Sequence, residues 1–453
     1  MTNKAAFSEH RTVAAPGWDW KKAVWYALVA TGIAAHLFVA VIAGNHFTAP
    51  WSSEGDAKEY VQLAHNLVAG DGFTYAHVPT AFRAPGYPYF LAALMRLAPV
   101  HWLVLLRALQ FAATLLTAWL CGRLAKKWFG ETAGRAALVI ALLLPTLLYF
   151  TGEILTECIA ALLTIIYFVA LNESVHVDGW KPLALLGVVT GLAALERFNA
   201  AVLAPIACGI VFLWLPRARI VSGGSGLQFG KRATRALIVA ASCGIVLAPW
   251  FVRTAIAFHG RALYSTDGGY AMVEGIVTPV NRTQPGETEA VKSALGWVHQ
   301  DVETNTPRSP ALRDEVALNR HAWVVAKSLL RQTGWRLLPA SALKISVFWL
   351  GTDQFFGTSS FSRNSRIARR LGTLAYWGVL IAAIAGWIFL RDSDPAMAAI
   401  LVVCAVLISF AHVPFVMISR YRIPIADPVL CALAGGGCAK FLSRFPRRQV
   451  PAS

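Results

Sequence analysis

Apolar runs of roughly span length recur along the 453 residues, divided by short basic turns and by two longer polar stretches. They fall at 23–43, 102–122, 134–150, 156–171, 182–195, 198–215, 236–252, 371–390, 395–412 and 424–440. Each reads as a helix within a bilayer, where backbone amides without water must bond one another. Several runs are shorter than the roughly 20 residues of a straight crossing, which predicts tilted, broken or protein-covered helices. The pattern therefore predicts an all-α polytopic membrane protein with a bundle of about ten transmembrane helices. The run 337–350 is different: crossing would place Lys344 near the bilayer centre, so a helix lying at the outer interface is expected.

Basic residues orient the bundle. Arg123, Lys126 and Lys127, the group from Arg217 to Arg235, and the tail from Lys440 to Arg448 lie in segments that fall on one side. Under the positive-inside rule this side is cytoplasmic, with both termini inside. Three regions follow: a membrane core over 1–252 with its first outer loop at 44–101, an extracytoplasmic region over 253–370 with the interfacial helix, and the C-terminal spans with a basic tail over 371–453. Lys21 and Lys22 before the run 23–43 read as the start of an uncleaved first span.

Composition supports this class. Hydrophobic residues make up 56% and charged residues 14%, against about 25% charged in soluble domains. The net charge of +17 would suggest nucleic acid in a soluble chain. Here orientation already accounts for it, and no nucleic-acid partner is expected. The seven cysteines sit in or beside apolar runs, so neither a disulfide framework nor a structural metal is implied. No cofactor is expected; a divalent cation is compatible with the chain but not implied by it.

Candidate chemistry gathers in the outer segments. In the first loop Asp56, Glu59 and Tyr60 share one helical face, with Glu54 just upstream. A carboxylate at a membrane surface could accept a proton from a hydroxyl; the bland alternative is a helix cap or solvated turn. Arg83-Ala84-Pro85-Gly86-Tyr87-Pro88 predicts a rigid turn in which Tyr87 anchors an interfacial helix and Arg83 could hold a phosphate oxygen. Glu153 and Glu157 stand at the outer ends of two spans. Glu157, the deeper, either lines a site or pairs with an arginine such as Arg197. Arg253, Lys344 and the Arg420-Tyr421-Arg422 triplet place cations on the outer face against the inside bias, which suits a lipid phosphate.

In this order and at these span ends, the residues resemble the bacterial GT-C superfamily, in particular the dolichyl-phosphate-mannose-protein mannosyltransferase-like (glycosyltransferase family 39) and aminoarabinose-transferase-like group. The resemblance covers nearly the whole chain. It rests on Asp56 with Tyr60 and Ala64-His65-Asn66-Leu67, on Arg83 to Pro88, and on Glu157 after Pro145. It continues through Gly191-Leu192-Ala193-Ala194-Leu195-x-Arg197, Pro249-Trp250-x-x-Arg253 and Arg420-Tyr421-Arg422-x-Pro424. The resemblance implies a sugar donor on a polyprenyl phosphate, and an acceptor that is a glycolipid, polysaccharide or protein. It further implies inversion at the anomeric carbon and a site facing the periplasm or cell exterior from the inner (plasma) membrane. An aspartate of the first outer loop acts as base in that family, and Asp56 matches it by position. Many relatives carry an adjacent Asp-Glu pair, whereas this chain has Asp56-Ala57. Either Glu54 or Glu59 substitutes for the second carboxylate, or its role is dispensable. The rival classes are a transporter or lipid flippase, which would more often show internal repeats and midplane charges, and a non-catalytic envelope scaffold.

Overall fold

The computed structural model describes residues 20–43, 56–75, 77–214, 225–277, 314–334, 337–351 and 363–444. Glu54 lies outside the described residues. The chain is helical almost throughout, and among the described residues the one sheet is a two-stranded hairpin. Six helices are long and apolar enough to cross a bilayer, or seven if a pair bent by 69° counts as one span.

The helices are α1 (Trp20–Phe38, continued by a π-turn to Ala43), α2 (Asp56–Ala69), α3 (Gly86–Leu97), α4 (Trp102–Phe129), α5 (Glu131–Leu143) and α6 (Pro145–Phe150). Then follow α7 (Glu157–His176), α8 (Trp180–Glu196), α9 (Leu203–Leu213), α10 (Ser225–Ala257), α11 (Gly268–Val277) and α12 (Glu315–Thr333). The chain closes with α13 (Leu337–Leu350), α14 (Arg363–Ser393), α15 (Pro395–His412), α16 (Ser419–Ile425) and α17 (Asp427–Ser443). Each expected span is matched by helix, but four are short or broken, among them 424–440, which bends between α16 and the 17-residue α17. The run 134–150 is split at Leu144, whose extended backbone precedes Pro145. The run 182–195 forms the 17-residue α8, and 198–215 forms a 3-10 turn followed by the 11-residue α9. At 1.5 Å per residue, 17 residues reach only about 25 Å, less than the ~30 Å hydrocarbon core.

Lipid-facing and protein-facing sides separate as in any membrane bundle. Leucine, isoleucine and valine project outward from α10 and α14, while a continuous core of Ala, Leu, Ile and Phe runs through α4, α5, α7, α8, α9, α15 and α17. Helices α5 and α17 pack through small residues: a Cβ on Gly435 would meet the Ala133 carbonyl and the Ala137 side chain. Such close approach supplies dispersion contact where no hydrophobic driving force between helices exists.

The alternation of chain direction places the start of α7, the ends of α8, α10 and α15, and the start of α16 at one end of the bundle. The basic C-terminus of α4, the N-terminus of α10 and the end of α17 lie at the other. Helices α2, α3, α11, α12 and the hairpin Thr74–Tyr75/Val78–Pro79 cap the first end. Two satellite cores bind this cap. Tyr60, Val61 and Ala64 of α2 pack on Tyr87, Leu91 and Met95 of α3, while Leu63 and Phe73 pack on Trp250 and Phe258.

Two expected phosphate ligands turn out to hold the frame. Arg422 is fully buried; its Nε donates to Asp427 Oδ1 at 2.9 Å, its Nη1 donates to the carbonyls of Phe348 at 2.9 Å and Gly351 at 3.0 Å, and its guanidinium lies 3.8 Å from the Tyr376 ring centroid. It therefore ties the C-terminus of α13 to the bend between α16 and α17, where Asp427 begins the new helix. Lys344, expected to face polar groups from an interfacial helix, donates to the carbonyls of Gly275, Val413 and Phe415. These carbonyls sit at the ends of α11 and α15, where helices leave acceptors unpaired. Neither cation is available to a lipid phosphate, because each is spent on backbone oxygens inside the protein.

Removing the Arg422 guanidinium strands a buried carboxylate. Arg422→Ala should cost about 3–5 kcal/mol, read as a lowered midpoint of thermal unfolding in detergent. The double replacement Arg422→Leu with Asp427→Leu should recover a substantial part of that loss.

Candidate active site at the outer end of the bundle

A ladder of ion pairs climbs from the core of the bundle to the surface of the cap. Its lowest rung is Glu157, the first residue of α7, whose side chain is 0% exposed. One of its oxygens, Oε1, accepts from Arg197 Nη1 at 3.0 Å and from Arg420 Nε at 2.6 Å. Arg197 Nη1 also donates to Thr156 Oγ1 at 2.7 Å, and its guanidinium lies over the Tyr421 ring at 5.5 Å. From Arg420 the ladder crosses to the cap, where Nη1 donates to Asp56 Oδ2 at 3.0 Å. The other Asp56 oxygen, Oδ1, pairs with Arg83 Nη2 at 2.8 Å, and Arg83 Nε in turn donates to Glu59.

Local folding explains why these groups meet. Asp56 opens α2 and Glu59 lies one turn on, so both face the same way. Arg83 is delivered by the turn before α3, whose N-terminus is seated against the end of α8. A Cβ on Gly86 would stand 2.8 Å from Glu196 Oε2, 2.9 Å from the Leu195 carbonyl and 3.0 Å from Glu196 Cα. Only glycine permits that approach. Arg253 of α10 clamps the two ends of the hairpin that leads into this turn: Nη1 donates to the Thr80 carbonyl at 2.6 Å and Nη2 donates to the Phe73 carbonyl. Its guanidinium also lies over Phe73, Trp250 and Phe258. Glu315 at the start of α12 accepts from Ala81 N at 3.1 Å and from the Thr266 hydroxyl.

The expected residues thus sort into two groups. Asp56, Glu59, Arg83, Glu157 and Arg420 form the ladder, with Tyr60 under Arg83 at 5.9 Å and Tyr421 under Arg197. Arg253, Lys344 and Arg422 stand apart from Asp56, bonded to backbone carbonyls and, for Arg422, to Asp427 as well. Tyr87 is buried beneath the turn, with its hydroxyl donating to Gln110 Oε1 at 3.2 Å, and so anchors α3 inside the protein. Glu157 pairs with Arg197, as one of its two readings expected, and also with Arg420.

Electrostatics mark Asp56 as an ionised group. Burial pushes its carboxyl up, but the Arg83 and Arg420 guanidiniums outweigh this and hold it below the usual aspartate range. Two neighbouring carboxyls are pushed the opposite way. Burial raises Asp267, before α11, to about 6, with Glu274, Glu59 and Asp56 adding to the rise and Arg83 opposing it. Burial and then Glu157 raise Glu153 to about 7. Asp267 carries no sequence signal, since it lies in an irregular segment far from the other residues in the chain. Arg197 had one, as the last residue of the Gly191-to-Arg197 motif. Among the described residues, no group of three or more His, Cys, Asp or Glu side chains is arranged to hold a metal ion.

Residues 82–245 match the family model described as dolichyl-phosphate-mannose-protein mannosyltransferase. Among solved structures, the archaeal oligosaccharyltransferase AglB from Archaeoglobus fulgidus, in complex with an inhibitory peptide and a dolichol-phosphate, aligns with a TM-score of 0.51 at 12% identity, over 94% of this chain and 51% of its own. The apo oligosaccharyltransferase from the same organism gives 0.52 at 13% identity, over 95% and 52%. ArnT from Cupriavidus metallidurans bound to undecaprenyl phosphate is a looser likeness, at 0.41 and 13% identity over 95% and 79%, and adds nothing to the assignment of the fold. No curated protein matches the chain at a significant level. The chain spans about half the length of the archaeal enzymes.

The seat of α3 on α8 sets the distance between Arg83 and Asp56. Gly86→Ala should push the turn outward and lower any activity of the site by about 10- to 100-fold, the scale of an ångström misplacement. Turnover of folded protein, compared with wild type at matched expression, measures it.

Proposed function

We propose that this chain, which has the GT-C fold and matches the dolichyl-phosphate-mannose-protein mannosyltransferase family over residues 82–245, is an integral membrane glycosyltransferase. It takes a sugar from a polyprenyl phosphate and passes it to an acceptor hydroxyl on the extracytoplasmic side of the inner membrane. The family description names a dolichyl-phosphate sugar, and AglB is described with a dolichol-phosphate; both favour a lipid phosphate as donor. The acceptor is a glycolipid, polysaccharide or protein of the cell envelope. The observation that carries the reading is the Asp56 carboxylate bridged between Arg83 and Arg420 at the outer end of the bundle.

The reaction assigns each group one task. The acceptor oxygen attacks the anomeric carbon from the face opposite the phosphate, forming the new glycosidic bond with inversion. The bond from that carbon to the phosphate oxygen breaks, and its electron pair leaves with the lipid phosphate. The hydroxyl proton passes to Asp56. Arg83 and Arg420 face the negative charge that grows on the phosphate, where fixed donors in a partly desolvated site act most strongly. Charge stabilisation by these guanidiniums needs no metal in principle. Glu59 fills the part of a second carboxylate by holding Arg83, and Glu157 does the same for Arg420 with Arg197 beside it.

Two outcomes test this. Purified protein mixed with a panel of polyprenyl-phosphate sugars should release lipid phosphate, and Asp56→Asn should cut that release at least ~100-fold. Unchanged turnover in the folded variant would remove Asp56 from the chemistry. Because the arginines lower the Asp56 pKa in the free protein, its carboxylate stays ionised until the pH falls below the ordinary aspartate value of about 4. The acid limb of kcat/KM, which reports the free enzyme, should therefore lie below that pH.

A further inference from the structure

The ion pairs of Asp56 differ from the others in the ladder. Both of its oxygens are taken, one by Arg83 Nη2 at 2.8 Å and one by Arg420 Nη1 at 3.0 Å. Each of those arginines also has a second partner through its own Nε, Glu59 for Arg83 and Glu157 for Arg420. Releasing Asp56 would therefore leave both guanidiniums anchored, with their Nη groups still aimed at one point. Two donors that converge on the two oxygens of a carboxylate also fit two oxygens of a phosphate, since guanidinium groups match both anions. The point is accessible: the Asp56, Arg83 and Arg420 side chains are 28%, 25% and 23% exposed, whereas Glu157 beneath them is 0% exposed.

Charge balance adds a second argument. Within the ion pairs themselves, Asp56, Glu59 and Glu157 supply three negative charges against the three positive ones of Arg83, Arg197 and Arg420, and Asp267 nearby adds negative charge above about pH 6. An incoming phosphate finds no spare cation. It gains full pairing only by taking the place of one carboxylate, and Asp56 is the one that bridges two guanidiniums each held by a second carboxylate while itself lying open to the surface.

Resting on the function proposed above, we infer that Asp56 occupies the phosphate position in the empty site and is displaced from Arg83 and Arg420 by the two non-bridging oxygens of the donor's phosphodiester. The consequence is an order of events. Asp56 is tied down while the site is empty, and a donor phosphate both fills the position and sets the carboxylate free. Losing two cations and gaining a neighbouring anion makes that carboxylate more basic. The base thus becomes competent only when a sugar is present to receive the acceptor, which disfavours idle proton exchange with water. Donor binds first and acceptor second.

The test measures binding rather than turnover. The full chain in nanodiscs of zwitterionic lipid is titrated with undecaprenyl phosphate, as wild type, Asp56→Asn, Asp56→Ser and Arg420→Ala. Removing the competing carboxylate should tighten binding at least tenfold in both Asp56 variants, although they no longer catalyse transfer; Arg420→Ala should weaken it. A parallel titration with inorganic phosphate, read as protection against thermal unfolding, separates a headgroup-only site from one that needs the lipid. Tightening by the Asp56 variants in either arm supports displacement. Equal or weaker binding in both arms, with wild type binding normally, overturns displacement and leaves the glycosyltransferase reading standing. Saturable binding to none of the proteins overturns both.

Discussion

Charge at the rim of a lipid-facing bundle must be neutralised where it stands, because neither bulk water nor mobile ions reach it fully. Glu157 sets that constraint for the whole outer end. A carboxylate with no exposed surface at the head of a membrane helix is tolerable only with cations in contact, and it draws Arg197 from the end of α8 and Arg420 from α16 onto one oxygen. The start of α7, the end of α8 and the distant α16 are thereby pinned together at one end of the bundle. Arg420, fixed from below, can then present its remaining nitrogen to the cap, and α2 is oriented by what it finds there. The same pairings that make the buried charge tolerable also bring Asp56, Arg83 and Arg420 together.

Outer cations are not equivalent, although they look alike in a sequence. Arg253 holds carbonyls of the hairpin turn, Lys344 gathers the free carbonyls at the ends of α11 and α15, and Arg422 binds a helix end and Asp427. Each is consumed by unpaired backbone acceptors, which are numerous wherever membrane helices are short or broken. Arg83 and Arg420 differ because each bonds two side-chain carboxylates, and one of those carboxylates, Asp56, is shared between them.

Much of this arrangement was legible beforehand. Ten apolar runs correspond to helical segments, and the described basic residues at the end of α4, the start of α10 and the end of α17 fall at one end of the bundle. The split at Pro145 and the shortness of 182–195 follow from local composition. Asp56, Glu59 and Arg83 were visible as a helical face and a rigid turn, and Glu157 as a charge too deep to be idle. What composition could not provide was the partner of each cation, since that depends on which helix ends share a corner. A positive residue near a membrane face reads the same whether it awaits a ligand or caps a carbonyl. Asp267 was invisible for a related reason: an isolated aspartate before Gly268-Gly269 has no period or motif, and only the cap over α2 brings it near Arg83.

The seven residues of α16 carry two different duties on opposite faces. Arg420 looks toward the cap and Arg422, two positions on, looks into the protein toward Tyr376 and Asp427. Two positions in a helix are about 200° apart, so the short helix acts as a coupling pin, with one spoke in the reaction space and the other sunk in the scaffold. Residue 420 and its neighbours on that side can therefore vary while the opposite spoke keeps the bundle in register. A related chain with another cation at that position, over an unchanged arginine and aspartate below, would be a retuned enzyme on an intact chassis.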